Sequence, residues 1–143
     1  MQGAHFSRIA IGVEGFFAPV LHLISGVSNL VIEAHFKCIE PINPTLGLVI
    51  VGHNGRPVTS VSSLLDGTEL RMDHEKEGSI RLVFPKFPLL RGQYWVNLYL
   101  LCEKGLYTYD RAECAAQLLV EQKGPELGVV QLPHCWESLR SSD

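Results

Sequence analysis

The chain lacks any block of like charge. Its 12 Lys and Arg against 15 Asp and Glu leave a net charge of -3 over 143 residues. A protein held on nucleic acid by phosphate contacts needs a basic stripe, so no nucleic-acid partner is expected. No apolar run has the length of a membrane span. The longest, Leu21 to Phe36, is broken by Ser25, Gly26, Ser28, Asn29 and Glu33. The opening MQGAHFSRIAIG has neither the basic region nor the apolar stretch of a secretory signal. Cysteine is scarce and widely spaced, at positions 38, 102, 114 and 135, with no C-x-x-C. A zinc ribbon and a thioredoxin-type redox pair are therefore not expected. Cys38 and Cys102 stand about as far apart as an immunoglobulin inter-sheet disulfide, but no Trp follows Cys38 on its strand. Leu100 stands where the corner tyrosine would be. All four thiols read as reduced, in a cytosolic protein.

Catalytic motifs are missing too. There is no G-x-S-x-G elbow, no H-E-x-x-H and no phosphate-cradling G-x-x-x-x-G-K-S/T loop. The six histidines (5, 22, 35, 53, 74 and 134) form no close pair, so neither a metal nor a cofactor is expected. Glu33, His35 and Lys37 share one strand face and read as a solvated surface. A sugar-cleaving enzyme needs two carboxylates facing each other across a groove. Glu33 with Glu121 or Asp110 are the ones on offer, and nothing in the sequence makes them converge. The chain itself reads as non-enzymatic.

What is present is β punctuation. Gly or Pro recurs at short intervals, and the apolar period is two, not 3.6. Strands are expected at Ser7–Glu14, Phe16–Ser25, Leu30–Ile39, Leu46–Gly52, Pro57–Ser63, Ser79–Phe84, within Pro88–Asp110, at Glu113–Glu121 and at Val129–Leu132. Pro19 marks the second as short, bent or at an edge. Asn54-Gly55 predicts a tight hairpin, since both residues tolerate positive φ. Leu64 to Gly78 reads as a loop with at most one helical turn. About nine short strands in one domain of this length imply an all-β, two-sheet antiparallel β-sandwich.

The stretch Pro88 to Asp110 carries the functional signal. Tyr94, Val96, Leu98 and Leu100 share one strand face, and Trp95, Asn97, Tyr99 and Leu101 share the other. The second face bears two large aromatics around an amide. Sugars offer C–H faces to aromatic rings and hydroxyls to planar amides, so this face suits a carbohydrate. Gln117, on the following strand, extends it, and Val49 and Val51 supply a floor. The competing interpretation is an aromatic face covered by a loop or by a second copy of the chain.

Five segments carry a family resemblance. They are Ser7-Arg8-Ile9, Leu46-Gly47-Leu48-Val49-Ile50 running into Asn54-Gly55, and Phe87-Pro88-Leu89-Leu90-Arg91-Gly92-Gln93-Tyr94. Tyr109-Asp110-Arg111-Ala112-Glu113 and Gly128-Val129-Val130-Gln131-Leu132-Pro133-His134-Cys135-Trp136 complete the set. In order and spacing they resemble the C-terminal carbohydrate-binding domain of Wzt-type ATP-binding subunits, which export bacterial O-antigen polysaccharide. The resemblance implies an immunoglobulin-like sandwich that binds the non-reducing end of a finished glycan and licenses its export. It implies residues 1–143 are one domain excised from a longer chain with an N-terminal ATPase domain. It further implies a membrane permease as partner, a cytoplasmic site at the bacterial inner membrane, and a homodimer in which Val129–Leu132 crosses to the other copy. Should the glycan end be acidic, His53 is the nearest basic group to join the site.

Overall fold

A computed structural model describes residues 3–139. Nine strands are present among the described residues: β1 (Ala4–Val13), β2 (Phe16–Phe17), β3 (Val20–Ile24), β4 (Leu30–Cys38), β5 (Thr45–Gly52), β6 (Pro57–Ser62), β7 (Glu77–Phe84), β8 (Gly92–Leu101) and β9 (Thr108–Glu121). They form a four-stranded sheet, β2-β1-β4-β7, and a five-stranded sheet, β3-β9-β8-β5-β6. The pairs are antiparallel except β3 with β9, which run parallel.

Period-two alternation builds the core between the sheets. Along β4, Leu30, Ile32, Ala34, Phe36 and Cys38 are buried. Along β8, Tyr94, Val96, Leu98 and Leu100 are buried facing them. Glu33 and Lys37 point outward and meet the cross-strand partners Arg81 and Glu77 of β7. These ion pairs are exposed and contribute little.

The expected Phe16–Ser25 strand is divided. Pro19 cannot donate a ladder hydrogen bond. The chain pairs with β1 through Phe16 and Phe17, passes Ala18 and Pro19, and joins the other sheet as β3 at its edge. Leu64–Gly78 contains turns and no helix, and β7 begins within it at Glu77. β9 runs from Thr108 to Glu121, so the strand start expected at the end of Pro88–Asp110 and the strand expected at Glu113–Glu121 are one. At Val129–Leu132 there is one antiparallel bridge, Leu89 to Val130, in place of a strand. Too few residues there face a neighbour to build a ladder. Asn54-Gly55 makes the predicted tight turn, with Gly55 at φ 79° and its N–H 2.9 Å from the Gly52 carbonyl. All four cysteines are free thiols; Cys38 and Cys102 are buried, Cys114 and Cys135 exposed.

The loop leading into β8 is anchored at several points. Phe87 is 1% exposed, and Leu89 and Leu90 are buried beside it. The Phe87 N–H donates to the Ser28 carbonyl at 2.8 Å, and the Gly26 N–H donates to the Phe87 carbonyl at 2.7 Å. The Tyr94 hydroxyl donates back to the Leu90 carbonyl at 2.7 Å. Burial pushes the Tyr94 phenol up, so it stays a neutral donor. These contacts give the Pro88–Tyr94 segment its physical meaning: a plugged loop that fixes the start and phase of β8. Phe87→Ala should lower unfolding free energy by about 3–5 kcal/mol. Tyr94→Phe should lower it by about 1–2 kcal/mol, through the unpaired carbonyl it leaves. Urea titration followed by far-UV circular dichroism measures both.

Candidate functional site

β8 lies in the middle of the five-stranded sheet, between β9 and β5. Burying Tyr94, Val96, Leu98 and Leu100 turns Trp95, Asn97 and Tyr99 to the outer face, where all three are partly exposed. Trp95 to Tyr99 spans four residues, about 13 Å along the strand. Registers extend the face sideways. Gln117 of β9 stands beside Trp95, with Val51 of β5 on the other side. Val20 of β3 continues that row beyond Gln117. Val49 stands beside Asn97, and Gly47 and Arg111 flank Tyr99. The β5–β6 turn bends His53 over one end, where its ring stacks on Trp95 with centroids 6.4 Å apart and planes at 28°.

The structure thus brings Trp95, Asn97, Tyr99, Gln117, Val49 and His53 onto one continuous surface. Val49 acts as apolar floor. Neither amide is equivalent to the other. The Asn97 Oδ1 accepts the Cys114 N–H at 2.8 Å, whereas Gln117 makes no side-chain hydrogen bond among the described residues.

Three features were not legible beforehand. The first is a bulge in β9. Val96 pairs with Ala116 and Leu98 with Ala112, so Glu113, Cys114 and Ala115 all lie opposite Asn97. Arg111 and Gln117, paired with Tyr99 and Trp95 on either side of the bulge, both face outward. Cys114 sits at φ 53°, in the left-handed region that side chains disfavour. The second is Arg111, whose guanidinium lies 3.6 Å from Glu113 at the far end of the face. The third is Val20, brought in by the parallel β3–β9 pairing. A sequence pattern registers neither a bulge nor a parallel edge partner.

A groove of about 940 Å³ adjoins this face without coinciding with it. It runs between the β5–β6 hairpin and the Pro88–Gly92 loop. Val58, Phe84, Phe87 and Leu89 line it, His53 stands at its rim, and Val129 and Val130 close one wall. The C-terminal segment there is held by the Leu90 N–H to the Val129 carbonyl, 2.7 Å, and the Gln131 N–H to the Pro88 carbonyl, 2.9 Å.

The carboxylates do not converge. Glu33 lies on the four-stranded sheet and accepts from the Arg81 Nε–H at 2.9 Å. Asp110 accepts the Phe6 N–H at 2.8 Å and ties β1 to β9. Glu121 ends β9 on the other sheet. Among the described residues no cluster of His, Cys, Asp or Glu could hold a metal ion.

Fold and face together define an all-β sandwich that carries an aromatic-and-amide platform on its larger sheet. The sequence matches the Wzt C-terminal domain family over residues 17–132, and the chain belongs to that family. This associates it with the ABC transporters of O-antigen. The fold is similar to a crystal structure of the C-terminal domain of Wzt, with TM-score 0.78 and 16% identity, covering 97% of this chain and 86% of that one. A putative β-galactosidase from Bacteroides fragilis is similar with TM-score 0.53 and 13% identity, over 76% of this chain and 16% of that one. A Niemann-Pick type C2 protein from Japanese carpenter ant has TM-score 0.51 and 10% identity, over 83% and 93%. At these identities the likeness is one of fold. No curated protein matches the sequence. No helix among the described residues is long and apolar enough to cross a membrane.

The bulge makes a stability prediction. Cys114→Gly should raise unfolding free energy by roughly 0.5–1 kcal/mol, because glycine adopts positive φ without the Cβ penalty. Cys114→Val should lower it by about 1–3 kcal/mol. Thermal melts of the two variants beside wild type distinguish these directions.

Proposed function

We propose that this domain binds the non-reducing terminus of O-antigen polysaccharide on the outer face of its five-stranded sheet, and so selects completed glycan for export. The observation that carries this reading is the convergence of Trp95, Asn97, Tyr99 and Gln117 on one partly exposed face. Trp95 and Tyr99 stack on sugar faces. Asn97 and Gln117 hydrogen-bond to sugar oxygens, Val49 is the floor, and His53 buttresses Trp95. The domain catalyses nothing itself. It works as one domain, residues 1–143, joined to an N-terminal ATPase domain and a membrane permease at the cytoplasmic side of the inner membrane.

Its assembled form is a homodimer exchanging the segment around Val129–Leu132. Two observations support this. The segment is held by a single bridge, and Leu127 and Trp136 around it are 93% and 91% exposed. Apolar side chains left in water at that level favour a partner surface. They equally favour an alternative in which the domain is an interaction module that binds no sugar.

The two tryptophans separate these readings. Trp136→Phe leaves Trp95 as the only indole, and its fluorescence should change on adding O-antigen polysaccharide. Trp95→Phe leaves Trp136, whose emission should change on dilution as the dimer dissociates. Trp95→Ala should weaken polysaccharide binding roughly 5- to 150-fold. A folded Trp95→Ala variant that binds like wild type would place the site elsewhere. Dilution-sensitive emission with no response to any polysaccharide would favour the interaction module.

A further inference from the structure

The C-terminal segment is held at two places, in two different ways. At the Pro88–Gly92 loop it is held by a short ladder. Val130 bridges Leu89, the Leu90 N–H donates to the Val129 carbonyl at 2.7 Å, and the Gln131 N–H donates to the Pro88 carbonyl at 2.9 Å. Residues 123–128 connect that ladder to β9, which ends at Glu121. Among the described residues this connection makes no backbone–backbone hydrogen bond. Apart from Gly124 it is exposed throughout. The hydrogen bonds it does make come from one side chain. Gln122 Nε2 donates to the Gly124 carbonyl at 3.0 Å and to the Glu126 carbonyl at 2.8 Å. Its Oε1 accepts the Arg91 N–H at 2.8 Å. The partners fix which atom is which, since a backbone N–H only donates and a carbonyl only accepts. The connection is therefore curled around a single amide that is engaged on both sides.

In a homodimer that exchanges this segment, the ladder on Leu89 is kept, with its two strands drawn from two chains instead of one. Its contacts cancel between the two forms. The connection does not cancel. To reach another body it must leave its curl, which parts Gly124 and Glu126 from the Gln122 amide. We propose that Gln122 is the latch of this segment: a positioning residue whose two Nε2 bonds keep Val129 and Val130 on the groove of their own chain, and whose release passes them to a second copy, so that the partner completes that groove wall. This rests on the homodimer reading of the segment. The bond from the Arg91 N–H lies within the body of one chain and is the same in both forms.

Gln122→Glu tests it. The substitution keeps an oxygen for the Arg91 N–H but sets a carboxylate oxygen against the two carbonyls, so the curl loses both bonds. Each dimer opens two such connections, and its dissociation constant should fall about tenfold or more. An added negative charge on a chain of net charge -3 would by itself weaken self-association, so a tighter dimer is not a general charge effect. Sedimentation of the 143-residue chain, refolded from urea over a dilution series, measures the constant. The arrangement is read with Leu89→Cys and Val130→Cys in a Cys114→Ser, Cys135→Ser background, oxidised after equilibration. Leu89 and Val130 form a non-hydrogen-bonded antiparallel pair, a spacing that a disulfide bridges. A segment on its own body gives an intrachain disulfide, and an exchanged one gives a covalent dimer on a non-reducing gel. The share of covalent dimer should rise with Gln122→Glu. If covalent dimer forms but neither its share nor the dissociation constant shifts, the exchange stands and the latch is overturned. If no covalent dimer forms with either residue, the exchange reading falls and the latch falls with it. Should Gln122→Glu lose its cooperative urea transition, Gln122→Ala replaces it, removing both donors without adding charge. A severalfold fall in the dissociation constant then supports the latch, and an unchanged one overturns it.

Discussion

The alternation of side chains along one central strand is the constraint on which the molecule depends. β8 is flanked by ladders on both sides and contributes Tyr94, Val96, Leu98 and Leu100 to the core. Consecutive residues of a strand cannot share a face. Burying those four therefore commits Trp95, Asn97 and Tyr99 to the opposite surface. A slip of one residue would exchange the two sets, placing an indole and an amide in the core and a row of aliphatics in water. Core and platform are two consequences of one register, and neither changes without the other.

That register is secured before the strand, and the strand is gripped again at its centre. Before β8, the Phe87 plug and the Tyr94 hydroxyl fasten the incoming loop to buried backbone. Across β8, the β9 bulge adds two residues opposite Asn97, and pairing resumes on both sides of it, with Gln117 beside Trp95 and Arg111 beside Tyr99. The bulge is thus an alteration the sheet tolerates without losing its face, and it fastens the central amide in one orientation.

The surface offers rings and amides more than charge. Charged groups near it are few: Arg111 pairs with Glu113 at its edge, and Asp110 is engaged in tying the two sheets together. Carboxylates that would have to cooperate in glycoside cleavage are dispersed over different sheets. Rings, amides and an apolar floor instead offer stacking and directional hydrogen bonds on a preformed sheet, which spends little entropy on ordering. The family assignment fits such a surface. The chain shares its fold with a known Wzt C-terminal domain at only 16% identity, as expected where packing is retained and exposed residues are free to vary.

The sequence by itself determined the sandwich, because period-two burial and Gly/Pro punctuation are local and cumulative. It determined the inward set of β4 and β8, the turn at Asn54-Gly55 and the outward phase of Trp95, Asn97, Tyr99 and Gln117. It also carried the family, in segments such as Pro88–Tyr94 whose residues answer to a specific loop. Only the tertiary structure decided which strands stand side by side. It split Phe16–Ser25 between two sheets, set β3 parallel to β9 and left Val129–Leu132 as a single bridge. It placed His53 on Trp95 and Cys114 against Asn97, residues 42 and 17 positions apart in the chain. Those juxtapositions depend on pairing between distant segments, and no local pattern encodes a partner's register. The composition of the aromatic face is therefore a property of the sequence, whereas the direction in which its central amide donates is a property of the fold.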